Sequence, residues 1–356
     1  MNAPTSPTFI ATPAHGATVR SLGPFSVVLS PRLIALTGIL LATTAVLGIV
    51  AMTIGTLPIP FADVIASLLG ESTNARQDQV VRGLRLPRVL TAVFAGAALG
   101  VSGAVFQSVS RNALGSPDVI GFTTGAATGA IVQIVVLQAE PLQISIGAVA
   151  GGLLTAAAVY VLSVKGGVTG GYRLVLVGIG VGAVLGALNG LLLVTGDLDN
   201  AIAANLWLSG SLDARKWAHA LPVLIGTLLI VPLVGALARR ASLMELGDDL
   251  AQQLGVRVER TRVLLMLASV ALAGLATGAA GPIAFVALAA PQLVTRLTRS
   301  RGLPVVSAAA MGACLLVTAD VVAQLLPITA AVPIGRMTGI LGGIYLIWLL
   351  TRSKQV

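Results

Sequence analysis

Residues 238–262 read ARRASLMELGDDLAQQLGVRVERTR, and the contrast between this stretch and its neighbours decides the fold. Ala220 to Leu237 before it and Val263 to Ala280 after it are apolar runs, each near the roughly 20 residues that a helix needs to cross a bilayer. Between them sit Glu245, Asp248, Asp249 and Glu259, with Arg239, Arg240, Arg257, Arg260 and Arg262. Gly247 followed by Asp248 and Asp249 predicts a turn leading into a first helical turn, where carboxylates meet the positive end of the helix dipole. Gly255 predicts the stop. The stretch reads as two short helices joined by a turn. A compact charged hairpin between two spans is either a docking surface for a soluble partner or an ordinary solvated loop.

Composition extends this reading to the whole chain. With 56% hydrophobic residues, 10% charged residues and a mean hydropathy of +0.96, no soluble domain of 356 residues could cover its apolar surface, so the chain is a polytopic membrane protein. The 41 glycines and only 4% aromatics suit helices whose small residues let backbones approach closely. A transmembrane barrel would show alternating strands of about ten residues, whereas these runs are continuous, so the class is all-α. The runs are Leu33 to Gly55, Val89 to Ser108, Thr123 to Gln138, Ile144 to Val164, Leu174 to Thr195, Ala220 to Leu237, Val263 to Ala280, Ile283 to Leu297, Leu303 to Leu326 and Ile334 to Leu350. That is about ten transmembrane helices, the third and eighth the shortest for the task.

Ten spans put both termini on one side. Fifteen of the 22 Lys and Arg residues then share the side of 238–262, which predicts that both termini and this segment are cytoplasmic. Residues 1–32, rich in Pro, Thr and Ala and without an apolar run behind a basic start, predict a flexible, unprocessed cytoplasmic tail; residues 33–352 are the transmembrane domain. The net charge of +9 gathers on the cytoplasmic face, where anionic lipid headgroups can meet it and nucleic acid need not be invoked.

Catalytic chemistry finds no foothold. Cys314 is alone in an apolar run, and His15 and His219 lie apart from any carboxylate or Cys cluster, which argues against a disulfide framework or metal site. No GxxxxGK[ST] loop and no convergent nucleophile or acid–base pair is present, so a nucleotide site would be on another chain. Two charged features stand out instead. Arg82, Arg85 and Arg88 in VVRGLRLPRVL (80–90) face outward against the charge bias, either as a dock for an acidic partner or ligand or as snorkelling side chains. Asp320, in LLVTADVVAQLL (315–326), should face the bundle interior and bond to a neighbour or be neutral, with Gln324 a same-face polar neighbour one turn later; in an ion-coupled secondary transporter it would be the first candidate for a proton relay. The run GIGVGAVLGALNG (178–190) can pack helices or line a wide path, and packing is the simpler reading.

Four segments carry a family resemblance. RLPRVLTAVFAGAALGVSGAVFQSVSRNALGSPDVIGF (85–122), ELGDDLAQQLGVRVERTR (245–262), AGPIAFVALAAPQLVTRL (280–297) and VPIGRMTGILGGIYLIWLL (332–350) resemble, in order, signature segments of the FecCD family. GSPDVIGF and GGIYLIWLL are most similar to the second permease subunit of ferric enterobactin-type systems. The resemblance implies a type II ABC importer permease that moves ferric siderophores across the cytoplasmic membrane by alternating access. Cobalamin and haem are the alternative substrates. It also implies a second permease subunit, two ATPase subunits that hold ATP and Mg, an extracytoplasmic binding protein, and no cofactor bound to this chain. On this basis Glu245, Leu246, Gly247, Asp248, Asp249, Leu254 and Gly255 are the ATPase-coupling contacts. Arg85 and Arg88 would pair with glutamates of the binding protein. The chain departs from the family pattern at Ala113 (commonly Pro), Gln292 (commonly His), Ala284 (commonly Gly), Ala331 and Val332 (often an acid) and Arg336 (usually apolar), where Arg336 becomes a third docking contact, a group facing the substrate path, or a snorkelling side chain.

Overall fold

The computed structural model describes residues 18–22, 25–71, 74–165, 168–169, 171–299, 302–326 and 332–352. Its helices are α1 (Pro31–Thr53), α2 (Phe61–Leu69), α3 (Ala75–Val80), α4 (Leu86–Ser110), α5 (Phe122–Ile131), α6 (Pro141–Ser163), α7 (Gly171–Thr195), α8 (Leu198–Leu208), α9 (Trp217–Met244), α10 (Asp248–Gln253), α11 (Val258–Ala280), α12 (Val286–Thr298), α13 (Val305–Leu325) and α14 (Ile334–Arg352). A π-helical turn, Val81–Arg85, joins α3 to α4 into a continuous 36-residue segment, and another, Val132–Val136, prolongs α5.

Each of the ten apolar runs falls on a helix, but among the described residues seven helical segments are long and apolar enough to cross a membrane. The eighth run is the clearest shortfall. Gly281 and Phe285 hold left-handed backbone (φ 75° and 69°) around Pro282, which lacks an N–H, so α12 starts only at Val286. Its 13 residues rise about 20 Å, short of a hydrocarbon layer of about 30 Å. The 11-residue α8, between the fifth and sixth apolar runs, is another half-length helix. The class is all-α, with two short antiparallel hairpins beside the helices, β1 (Thr18–Leu22) with β2 (Phe25–Leu29), and β3 (Val164–Lys165) with β4 (Val168–Thr169). Within the expected tail, residues 18–22 pair with 25–29, and residues 1–17, 23 and 24 lie outside the described set.

The core is built around α4, whose interior from Ala95 to Phe106 is buried throughout, with α9, α11, α12 and α13 against it. Glycine makes this possible. A Cβ on Gly103 would lie 1.6 Å from the Ala287 carbonyl oxygen, on Gly100 2.2 Å from that of Ala308, and on Gly96 2.4 Å from that of Gly312. Close backbone approach of this kind replaces the hydrophobic drive that lipid cannot supply. Ser102 and Ser269 tie α4 to α11, each hydroxyl donating to the other's carbonyl at 2.7 and 2.9 Å. The glycine run on α7 behaves differently: a Cβ on Gly180, Gly186 or Gly190 would meet nothing within 4 Å, so packing within this chain does not account for those three.

Candidate functional site

Two polar networks form at opposite ends of α4. At its C-terminal end, Arg111 takes a left-handed cap conformation (φ 50°), which turns its side chain toward the segment after α9. Its guanidinium donates to the Met244 carbonyl at 3.1 Å and pairs with Asp248. Arg262 of α11, nearly buried, pairs with the other Asp248 oxygen at 2.7 Å and with Glu259 at 2.8 Å. Tyr160 of α6 donates to Glu259 at 3.0 Å, and Ser108 donates to Glu245 at 2.6 Å. Gly247 (φ 122°) and Gly255 (φ 82°) supply backbone that an L side chain rarely adopts, which is how a six-residue helix fits between α9 and α11.

The expected pair of short helices is therefore one, α10, because the flanking charges belong to the ends of α9 and α11. One face of α10 is anchored: Ala251 is buried with Met244, Val256 and Val258. Away from that anchor, Leu250 of α10 and the flanking Leu246 and Leu254 are all exposed, as is Asp249. Of the seven residues expected to couple, Leu246, Asp249 and Leu254 face outward, Asp248 and Glu245 are bonded within the chain, and Gly247 and Gly255 shape the backbone. Leu250 escaped the sequence reading, although its spacing from Leu246 and Leu254 is the signal. Two family departures meet nearby: the Gln292 side chain donates to the Ala113 carbonyl.

At the other end, Arg88 gathers α4, α13 and the α8–α9 loop. It pairs with Asp320 at 2.8 Å and with Asp213 at 2.5 Å, while Gln324 donates to the second Asp320 oxygen at 2.8 Å. Asp320 is only 1% exposed. Arg85 donates to the carbonyls of Met52 and Leu57, closing the α1–α2 turn, and Arg82 pairs with Asp78 at 3.2 Å and donates to the Ser67 carbonyl at 2.7 Å. All three arginines expected to face outward thus have partners within the chain. Arg336 does not join them. It lines a cavity of about 230 Å³ between the turn before α5, the end of α8, the α11–α12 loop and the start of α14.

The family model described as the FecCD transport family matches residues 40–352. The ferric enterobactin transport system permease protein of Escherichia coli (strain K12) is 42% identical over 326 residues, covering 92% of this chain and 98% of that protein. The hemin transport system permease protein of Yersinia pestis is 35% identical over 334 residues, covering 91% and 97%. Among solved structures, an inward-facing conformation of a metal-chelate type ABC transporter superposes with a TM-score of 0.79 at 27% identity, covering 90% of this chain and 99% of that one.

Proposed function

The chain belongs to the FecCD transport family, and from that premise we propose that it is the membrane permease subunit of an ATP-driven importer of ferric siderophores. The relatives that support this import iron chelates or haem, and the observation that carries the coupling reading is the anchored α10 with its three outward leucines. No bond chemistry is asked of this chain. ATP and Mg belong to two partner ATPase subunits, which would grip Leu246, Leu250 and Leu254 with Asp249 beside them, and closure of those subunits would move α10. Asp248 would pass that movement to α4 through Arg111 and to α11 through Arg262, switching which side of the membrane the path opens to. A second, related permease chain completes the path, and ten passes through the cytoplasmic membrane with both termini inside fit the charge distribution. Arg85, whose bonds go to neutral carbonyls, contributes to binding-protein docking chiefly as positive potential that orients an acidic partner, while the charge of Arg88 is taken up by Asp213 and Asp320.

The test is uptake of radiolabelled iron, supplied as a panel of ferric siderophores, by cells with and without the gene and with and without ATP depletion. Loss of one chelate class, dependent on ATP, is the expected result. Iron uptake unchanged throughout, with haem or cobalamin uptake lost instead, would reassign the substrate. Uptake that depends on the gene but survives ATP depletion would favour an ion-coupled transporter.

A further inference from the structure

The cavity at Arg336 joins the places where helices are interrupted. Gly210, just past α8, has the Pro282 carbonyl 2.3 Å from its Cβ position, and Gly335, opening α14, has the Ser209 and Pro282 carbonyls both at 2.5 Å. Irregular backbone inside a membrane domain is tolerated where it is buried in protein or lines a cavity, and broken helices of this kind are where transported solutes are held. The polar lining is Asp118, Thr123, Asn205, Ser209 and Arg336, against apolar groups such as Pro282. Thr123 donates to Asp118, Ser209 donates to the Asn205 carbonyl at 2.8 Å, and the Asn205 amide donates to Ala201 at 3.0 Å, so these groups are already placed by the fold. Arg336 differs: it is exposed and has no hydrogen-bond or ion-pair partner among the described residues. An unpaired cation in a membrane domain is costly and marks a solute path or a missing counter-ion.

We propose that this cavity is a subsite for one anionic, oxygen-bearing arm of the transported ferric chelate, with Arg336 as its charge partner; the proposal rests on the importer reading. The planar guanidinium fork matches paired anionic oxygens. The volume is below the roughly 300–1,000 Å³ of pockets that enclose a whole drug-sized ligand, which is why one arm is assigned to it. The Asp118 carboxylate sets the orientation, with anionic oxygens toward Arg336 and any N–H or hydroxyl donors toward Asp118.

The test uses the assembled importer in proteoliposomes, with ferric enterobactin as the anionic probe and a ferric trihydroxamate without net negative charge as the comparison. Arg336→Ala is expected to lower ferric enterobactin uptake by about tenfold to a hundredfold, the range for losing a hydrogen bond to a charged group. Arg336→Lys should recover much of the rate and Arg336→Glu none, with binding-protein-stimulated ATP hydrolysis retained throughout. Ferric enterobactin uptake by Arg336→Ala at the native KM and maximal rate would overturn the subsite, as would loss of permease pairing, which would make Arg336 an assembly contact. A native importer that moves the trihydroxamate but not ferric enterobactin overturns the anionic subsite and leaves the importer reading standing. If ATP drives neither chelate, the ferric-siderophore reading falls and the subsite with it.

Discussion

The Arg88 and Arg111 ends of α4 each hold an arginine between two acceptors, yet they sit in different surroundings. At the first, Asp320 is 1% exposed and lies among apolar residues of α13, and the Arg88 side chain is 25% exposed. At the second, the Asp248 and Arg111 side chains are 33% and 42% exposed. A carboxylate without water must keep its partner, because the desolvation cost of an unpaired buried charge amounts to several kcal/mol. A carboxylate at a wet surface can exchange one partner for another, or for water, at little cost. The same residue types therefore make a fixed joint at one end of the helix and a re-makeable one at the other. If the chain is moved through α10, the re-makeable joint lies where that movement enters it.

The largest expected effect follows from the fixed joint. Arg88→Met leaves the buried Asp320 carboxylate with only Gln324 and should destabilise the protein by about 3–5 kcal/mol, read as a fall in thermal unfolding temperature of the purified complex in detergent. Pairing Asp320→Leu with Arg88→Met should recover most of that loss, since replacing both partners removes the unpaired charge. A loss below about 1 kcal/mol for Arg88→Met would place both ends in the same class and erase the distinction. Next in size is the outward face of α10. Each of Leu246, Leu250 and Leu254 would contribute about 1.5–3 kcal/mol if the ATPase buried it fully. Leu250→Ala should thus weaken ATPase association by about tenfold or more, with unfolding temperature unchanged. Equal association by co-purification at limiting ATPase would remove α10 from the interface.

How far this contrast is legible in the sequence depends on what each residue needed. The apolar runs reveal where helices lie, because a membrane helix must satisfy its backbone internally and so declares itself by length and composition. Asp320 declares itself too, as the acid inside such a run, and its same-face neighbour Gln324 follows from helical spacing. Its principal partner does not: Arg88 is 232 residues away in the chain, and nothing local links them. Read locally, Arg88 is a free outward cation; folded, it is the centre of an ion pair. The same holds for Asp248, whose place in a charged loop suggests a surface contact while Arg111 and Arg262 hold it inward. The half-length α8 is hidden because LDNAIAANLWL mixes polar and apolar residues below the signal of a span.

The smallest expected stability effect tests the re-makeable joint directly. Asp248→Asn keeps the shape of the side chain and one acceptor oxygen while removing the charge that Arg111 and Arg262 share. Because the side chain is 33% exposed, the loss of stability should be only about 0.2–1 kcal/mol, and raising the salt concentration should shrink the difference between variant and native protein. Function should respond more than stability. If Asp248 passes the movement of α10 to α4 and α11, the reconstituted Asp248→Asn importer will hydrolyse ATP at close to the native rate and move less chelate per ATP. If chelate per ATP is unchanged, α10 is linked to the core by its buried face alone, through Ala251, Met244, Val256 and Val258, and the ion network only shapes the surface. The two outcomes separate a mechanical role from a decorative one, because the Arg262–Glu259 pair and the Tyr160 hydrogen bond stay in place in both.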